Sequence, residues 1–112
     1  MAVTAYLDID QGSDFTAEFQ LENDDGSLMN LTGFQAYSQF RKSYQATTGF
    51  TFTTQITNPA QGKILLTLPG TSSSTIKPGR YLYDVEIISS TAVKTRVVEG
   101  ILTINPEITK IP

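Results

Sequence analysis

The stretch Ile76-Lys77-Pro78-Gly79-Arg80-Tyr81-Leu82-Tyr83-Asp84-Val85-Glu86-Ile87-Ile88 decides how this chain is read. From Arg80 onward, Tyr81, Tyr83, Val85 and Ile87 alternate with Leu82, Asp84 and Glu86, the period of a strand with one buried face. Pro78 cannot donate to a ladder, so the strand starts after it, and Ser89-Ser90-Thr91 turns the chain at the far end. The same period recurs on both sides. Upstream, Phe15, Ala17, Phe19 and Leu21 share a face, and Asn23-Asp24-Asp25-Gly26-Ser27 turns the chain. Phe34 to Arg41 places Phe34, Ala36, Ser38 and Phe40 on one side and Gln35, Tyr37, Gln39 and Arg41 on the other. After a polar loop at 42–49, Phe50, Phe52, Thr54 and Ile56 alternate again. Asn58-Pro59-Ala60-Gln61-Gly62 turns into Lys63–Leu68, whose Ile64, Leu66 and Leu68 point inward. Residues 71–77 are expected to form one helical turn anchored by Ile76. Downstream, a last strand from Val93 to Ile104 buries Val98, Leu102 and Ile104, with a bulge expected at Glu99-Gly100.

With the opening segment Val3 to Asp10, these runs amount to about seven strands at roughly 10-residue spacing, the signature of a sandwich or a barrel. Ile76-Lys77-Pro78-Gly79-Arg80-Tyr81 sharpens the choice. It has the apolar-x-Pro-Gly-x-Tyr form that leads into strand F of immunoglobulin-like sandwiches, where a tyrosine hydroxyl ties back to the backbone. The expectation is therefore an all-β, immunoglobulin-like antiparallel β-sandwich, with a closed barrel as the alternative. Its core is expected to include Phe15, Phe19, Leu21, Phe34, Phe40, Phe52, Ile64, Leu66, Tyr81, Tyr83, Val85, Leu102 and Ile104. Residues 1–105 read as one domain and 106–112 as an extended C-terminal tail, since Pro106 and Pro112 forbid a regular ladder at their own positions. Ile108 and Ile111 are apolar residues beyond the last strand. They are expected either to dock on a partner or to fold back and cap the sandwich.

The 112 residues contain no cysteine, histidine or tryptophan. Thiol, imidazole and Ser-His-Asp chemistry and zinc or haem ligation by these residues are thereby excluded, leaving oxygen-ligand metals and carboxylate, lysine or tyrosine chemistry. The net charge of −3 hides an asymmetry. Residues 1–40 hold Asp8, Asp10, Asp14, Glu18, Glu22, Asp24 and Asp25 and no base, whereas the bases are dispersed over the rest. This reads as solvated strand faces or as head-to-tail attraction between copies. The dispersed bases give no phosphate-tracking stripe, so nucleic acid is not an expected partner. The start MAVTAYLDID has neither a basic n-region nor an apolar run, and no stretch approaches a membrane span. Synthesis in a cytoplasm without a membrane partner is the expectation.

Asp8-Ile9-Asp10-Gln11-Gly12-Ser13-Asp14 is the densest oxygen-ligand cluster, but its spacing misses the calcium-loop pattern: Gly12 falls at position five and Phe19 at position twelve counted from Asp8. It reads as a strand end followed by a glycine turn, and no metal or cofactor is expected. No catalytic residue is assigned. Outward Tyr37 and the loop residue Tyr44 could stack on sugar rings or on a partner, against cross-strand packing as the plainer role.

Ile9-Asp10-Gln11-Gly12-Ser13-Asp14-Phe15, Asp24-Asp25-Gly26 followed by Leu31-Thr32-Gly33-Phe34, and Phe40-Arg41-Lys42-Ser43-Tyr44 together resemble a family of small virion proteins from tailed bacteriophages. The resemblance continues through Asn58-Pro59-Ala60-Gln61-Gly62-Lys63-Ile64, Pro78-Gly79-Arg80-Tyr81-Leu82-Tyr83-Asp84-Val85 and Val98-Glu99-Gly100. The order of acidic-glycine turn, Leu-Thr-Gly and aromatic strand is also similar to the N-terminal module of phage baseplate upper proteins, which are longer. This resemblance implies a non-enzymatic subunit of the virion that docks on larger virion proteins and on copies of itself. A tail, baseplate or fibre connector is the first expectation, a capsid decoration protein the second and a carbohydrate-binding adhesion module the third.

Overall fold

The alternating runs close on one another as two sheets. In the computed structural model, which describes residues 3–108, the ladders are β1 (Val3–Thr4), β2 (Leu7–Asp10), β3 (Phe15–Gln20), β4 (Gln35–Arg41), β5 (Phe50–Thr51), β6 (Thr53–Asn58), β7 (Lys63–Leu68), β8 (Gly79–Ile88) and β9 (Lys94–Asn105). One sheet runs β1-β9-β8-β4-β5, with β2 also pairing β9, and the other runs β3-β7-β6. This is the immunoglobulin-like β-sandwich expected from the sequence. The seven runs become nine ladders because two are split. Ala5 and Tyr6 separate β1 from β2, and Phe52 separates β5 from β6. At Phe52 the chain changes sheet: its amide donates to the Ser38 carbonyl oxygen at 3.0 Å while the residues beyond it pair with β7.

Antiparallel pairing throughout is corrected. β1 and β2 run parallel to β9, with Val3 beside Val98 and Leu7 beside Leu102. Parallel neighbours cannot be joined by a tight turn, and here the whole of β3 to β8 serves as the connection between them.

The inward faces meet in one core. Ile9, Leu21, Leu31, Phe40, Phe52, Ile64, Leu66, Leu68, Ile76, Tyr81, Tyr83, Val85, Val98, Leu102 and Ile104 are buried in it. Phe40 is its aromatic hub, with ring centroids 5.1 Å from both Phe50 and Phe52 and an edge-on contact to Tyr81 at 5.5 Å. Phe15, Phe19 and Phe34, read as core, are only half-buried and pack against the cluster from its margin. The corner before β8 forms as its sequence implies, since Tyr81 Oη donates to the Lys77 carbonyl oxygen at 2.6 Å. The helical turn is shifted from 71–77 to Gly70–Ser73, leaving Ile76 buried just beyond it.

The bulge in β9 is also displaced. Val85 faces Val98 and Glu86 faces Arg96, so the extra residue is Val97 rather than one at Glu99-Gly100. The reason is burial: with one residue inserted, Val97 and Val98 both turn inward while Arg96 stays outward beside Glu86. Gly100 has a different task, because a Cβ there would collide with the Ala5 carbonyl oxygen. Its missing side chain lets the N-terminal strand approach, and Tyr83 Oη donates to that same carbonyl at 2.7 Å.

Candidate functional site

The Asp8–Asp14 cluster is a clamp rather than a ligand cage. Asp14 Oδ1 accepts the Gly70 amide at 2.7 Å, the Gly12 amide donates to the buried Ser73 Oγ at 3.0 Å, and Ser73 Oγ donates to the Ser13 carbonyl oxygen at 3.1 Å. Gln11 spans two more segments. Its Nε2 donates to the Ile76 carbonyl oxygen at 3.0 Å and its Oε1 accepts the Glu107 amide at 3.1 Å. Asp10 Oδ1 accepts Asn105 Nδ2 at 3.3 Å. The loop after β2 thus fastens the helical turn and the start of the tail to one end of the sandwich. Gly12 sits at φ 87°, a backbone region that favours glycine. Among the described residues no three acids gather to hold a metal ion.

Among the described residues Glu107 is the last one so fastened. Ile108 is 93% exposed, and Ile111 lies outside the described residues. The seven acids of residues 1–40 are all exposed, but they form no single face: Asp8 and Asp10 lie on one sheet, Glu18 on the other and Asp24-Asp25 at a turn. Asp25 accepts both the amide and the hydroxyl of Ser27, which holds its carboxyl below the usual carboxylate range.

The outward face of the larger sheet carries the most developed side-chain constellation. Cross-strand register lines up Tyr37, Glu86 and Arg96 in one row, Gln39, Asp84 and Glu99 in the next, and Arg41, Leu82 and Ile101 in a third. A hollow of about 210 Å³ lies over the Asp84, Glu86, Arg96 and Glu99 part of these rows, and Ser43 and Tyr44 of the loop after β4 also line it, Tyr44 being 73% exposed. Arg96 ties the floor together, with Nε 3.1 Å from Asp84 Oδ2 and Nη1 3.7 Å from Glu99 Oε1. Arg41 ties the rim, donating through Nη1 to the Ala46 carbonyl oxygen at 2.8 Å and through Nη2 to Gln39 Oε1 at 2.9 Å. Burial pushes the Asp84 carboxyl up, with Glu86 and Glu99 adding to the shift, and the Arg96 guanidinium only partly offsets them.

Tyr37 and Tyr44, paired in the sequence reading, are not brought together. Tyr37 lines a separate, shallower depression with Phe34, Thr54 and Ile56, and its hydroxyl donates to Gln35 Oε1 at 2.6 Å. The residues that sequence reasoning missed are Gln39, Arg41, Asp84, Arg96 and Glu99. Their outward placement was legible for β4 and β8 from alternation. Which β9 residue stands beside Asp84 depends on the bulge, and its displacement to Val97 puts Glu99 there rather than Val98.

Among the described residues no helix is long and apolar enough to cross a membrane. No family model matches the sequence, and no curated protein matches it. Among solved structures, the chain is similar to an internalin-like protein of Listeria monocytogenes, with a TM-score of 0.48 and 18% identity, covering 93% of this chain and 28% of that one. The Lin-41 filamin domain aligns with a TM-score of 0.49 and 17% identity over 88% of this chain and 82% of that one. A family 123 glycoside hydrolase from Clostridium perfringens aligns with a TM-score of 0.43 and 10% identity over 94% and 23%. The chain thus spans well under a third of the internalin-like protein and of the hydrolase. None of the three is similar enough for its activity to carry over.

Proposed function

We propose that this chain is a non-enzymatic structural subunit of a tailed-phage particle, a tail, baseplate or fibre connector that docks on larger virion proteins. The observation that carries the reading is the position of the segments that resemble phage virion proteins. Ile9–Phe15 contains the clamp, Asp24-Asp25-Gly26 a turn, Asn58–Lys63 the link from β6 to β7, and Pro78–Tyr83 the tyrosine corner. The resemblance therefore falls on the residues that build the frame, as expected for a module reused to place copies in an assembly. Ile108, exposed one residue beyond the clamped Glu107, supplies an apolar contact for a docking partner. Burying one isoleucine contributes roughly 1.5–3 kcal/mol, so Ile108 would be one anchor among several contacts.

Quantitative mass spectrometry of purified particles of a phage encoding this chain tests the proposal. About six to eighteen copies per particle, as a ring of tail symmetry requires, is the expected result. Several hundred copies would replace the connector with a capsid decoration protein, and absence from particles would overturn both.

A further inference from the structure

We infer that the hollow beside Tyr44 is a binding subsite for one uncharged sugar ring, a function separate from any structural role in a particle. Asp84, Glu86 and Glu99 line the hollow together with Arg41 and Arg96, so an anion meets three carboxylates and a cation meets two guanidiniums. A neutral ligand with hydroxyl groups is opposed by neither. Both guanidiniums are already engaged, Arg96 with Asp84 and Glu99 and Arg41 with Gln39 and Ala46. The N–H groups of both are thus largely taken, and the lone pairs that remain on Glu86, Glu99 and Gln39 suit hydroxyls, which both donate and accept.

Shape points the same way. A hollow of about 210 Å³ is below the usual range of drug-sized pockets, roughly 300–1,000 Å³, and suits a single ring. Asp84, Arg96 and Glu99 are held together by ion pairs and Gln39 and Arg41 by a hydrogen bond before any ligand arrives, which lowers the ordering cost of binding. Tyr44 adds an exposed aromatic face at the margin, the surface on which the C–H face of a pyranose packs.

The test uses the full chain, uniformly labelled with ¹⁵N, and the methyl glycosides of glucose, galactose, mannose and N-acetylglucosamine at roughly 20 mM, above the millimolar Kd range. At least one glycoside is expected to shift amide signals within residues 39–44, 82–86 and 96–99. Tyr44→Ala should weaken that binding about 3- to 10-fold, the range of one aromatic contact. Tyr37→Ala, in the other depression, should leave it unchanged and controls for general effects on the face. Binding should also persist at about 0.5 M salt, where charge pairing is screened. The inference is overturned if no glycoside shifts these signals, if Tyr44→Ala binds as tightly as the parent, or if binding collapses with salt. Shifts produced by arginine amide or glycine but by no glycoside would likewise replace the sugar with a charged ligand.

Discussion

The two sheets bury similar inner faces and show water very different outer ones. On the smaller sheet the outward rows read Thr16, Thr67, Thr53 and Glu18, Leu65, Gln55, and the hydrogen bonds there are long, Thr57 to Glu18 at 3.3 Å and Gln20 to the Gln61 carbonyl oxygen at 3.4 Å. On the larger sheet the outward rows hold two arginines, three carboxylates and an amide cross-linked over a hollow. Both satisfy the alternation that sets the fold. What separates them is the density of fixed, mutually bonded polar groups, so the outer face reports on binding while the inner face reports on folding.

The largest effect should come from inside the smaller sheet. Leu66 is fully buried on its central strand β7, and Leu66→Ala should destabilise the protein by about 2–5 kcal/mol in urea titration. Thr67→Ala, one residue on and facing out, should change stability by less than about 1 kcal/mol. Equal effects at the two positions would remove the distinction between the faces.

Next in size is Gly100→Ala. The added methyl must displace the Ala5 carbonyl oxygen, and overpacking of this kind costs about 1–3 kcal/mol. Because the damage is local, exchange of the Ala5 amide, which donates to the Glu99 carbonyl oxygen, should accelerate more than exchange in β7. Uniform acceleration would mean that the N-terminal strand belongs to the same cooperative unit as the smaller sheet.

These two positions also mark how far the sequence could be read. Leu66 was legible because alternation depends on its own neighbours. The Pro78-Gly79-Arg80-Tyr81 corner was legible because its hydrogen bond is local, reaching only to Lys77. Gly100 was legible as a special position, but its purpose was not: the partner it admits, Ala5, lies 95 residues earlier in the chain. Parallel pairing of β1 and β2 and the place of the β9 bulge are likewise long-range choices, made by which side chains find room in the core. The hollow inherits that difficulty. Asp84 and Glu86 announce themselves as outward residues, yet Glu99 stands beside Asp84 only because Val97 is the inserted residue. Tyr44 was singled out for exposure alone, and exposure alone also singled out Tyr37, which lines a different depression.

A smaller effect is expected from the hydroxyl that holds the N-terminal strand down. Tyr83 is buried and donates to the Ala5 carbonyl oxygen, so Tyr83→Phe should cost about 0.5–1.5 kcal/mol near neutral pH. Burial also pushes the Tyr83 phenol up to about 12 from an ordinary 10.0. Between those values the folded chain retains a proton that the unfolded chain has released. The contribution is therefore complete below pH 10.0 and is lost as pH rises through about 12. Denaturation midpoints measured at rising alkaline pH should fall less steeply in Tyr83→Phe than in the parent; parallel slopes would place the alkaline sensitivity elsewhere.

The smallest effect is the one that bears most directly on the difference between the two outer faces. Burial raises the pKa of the Asp84 carboxyl, on the larger sheet's outer face, above its ordinary 3.8, with Glu86 and Glu99 adding to the shift and Arg96 opposing it. A raised carboxyl binds its proton more tightly when folded, so its contribution to stability is greatest below pH 3.8 and declines as pH rises through the folded value. The energetic consequence is modest, since an ion pair this near the surface contributes about 0–1 kcal/mol. The titration itself is sharper than the stability change. Followed by the ¹³C signal of its carboxyl, Asp84 should titrate above 3.8, Glu86→Gln should lower the midpoint by removing a like charge, and Arg96→Gln should raise it by removing the opposing one. If Asp84 instead titrates at or below that value, and neither substitution moves it, water reaches the floor of the hollow as freely as it reaches Glu18 on the other sheet. The larger sheet's outer face would then be solvated surface like its counterpart, and the contrast between the two would be one of composition alone.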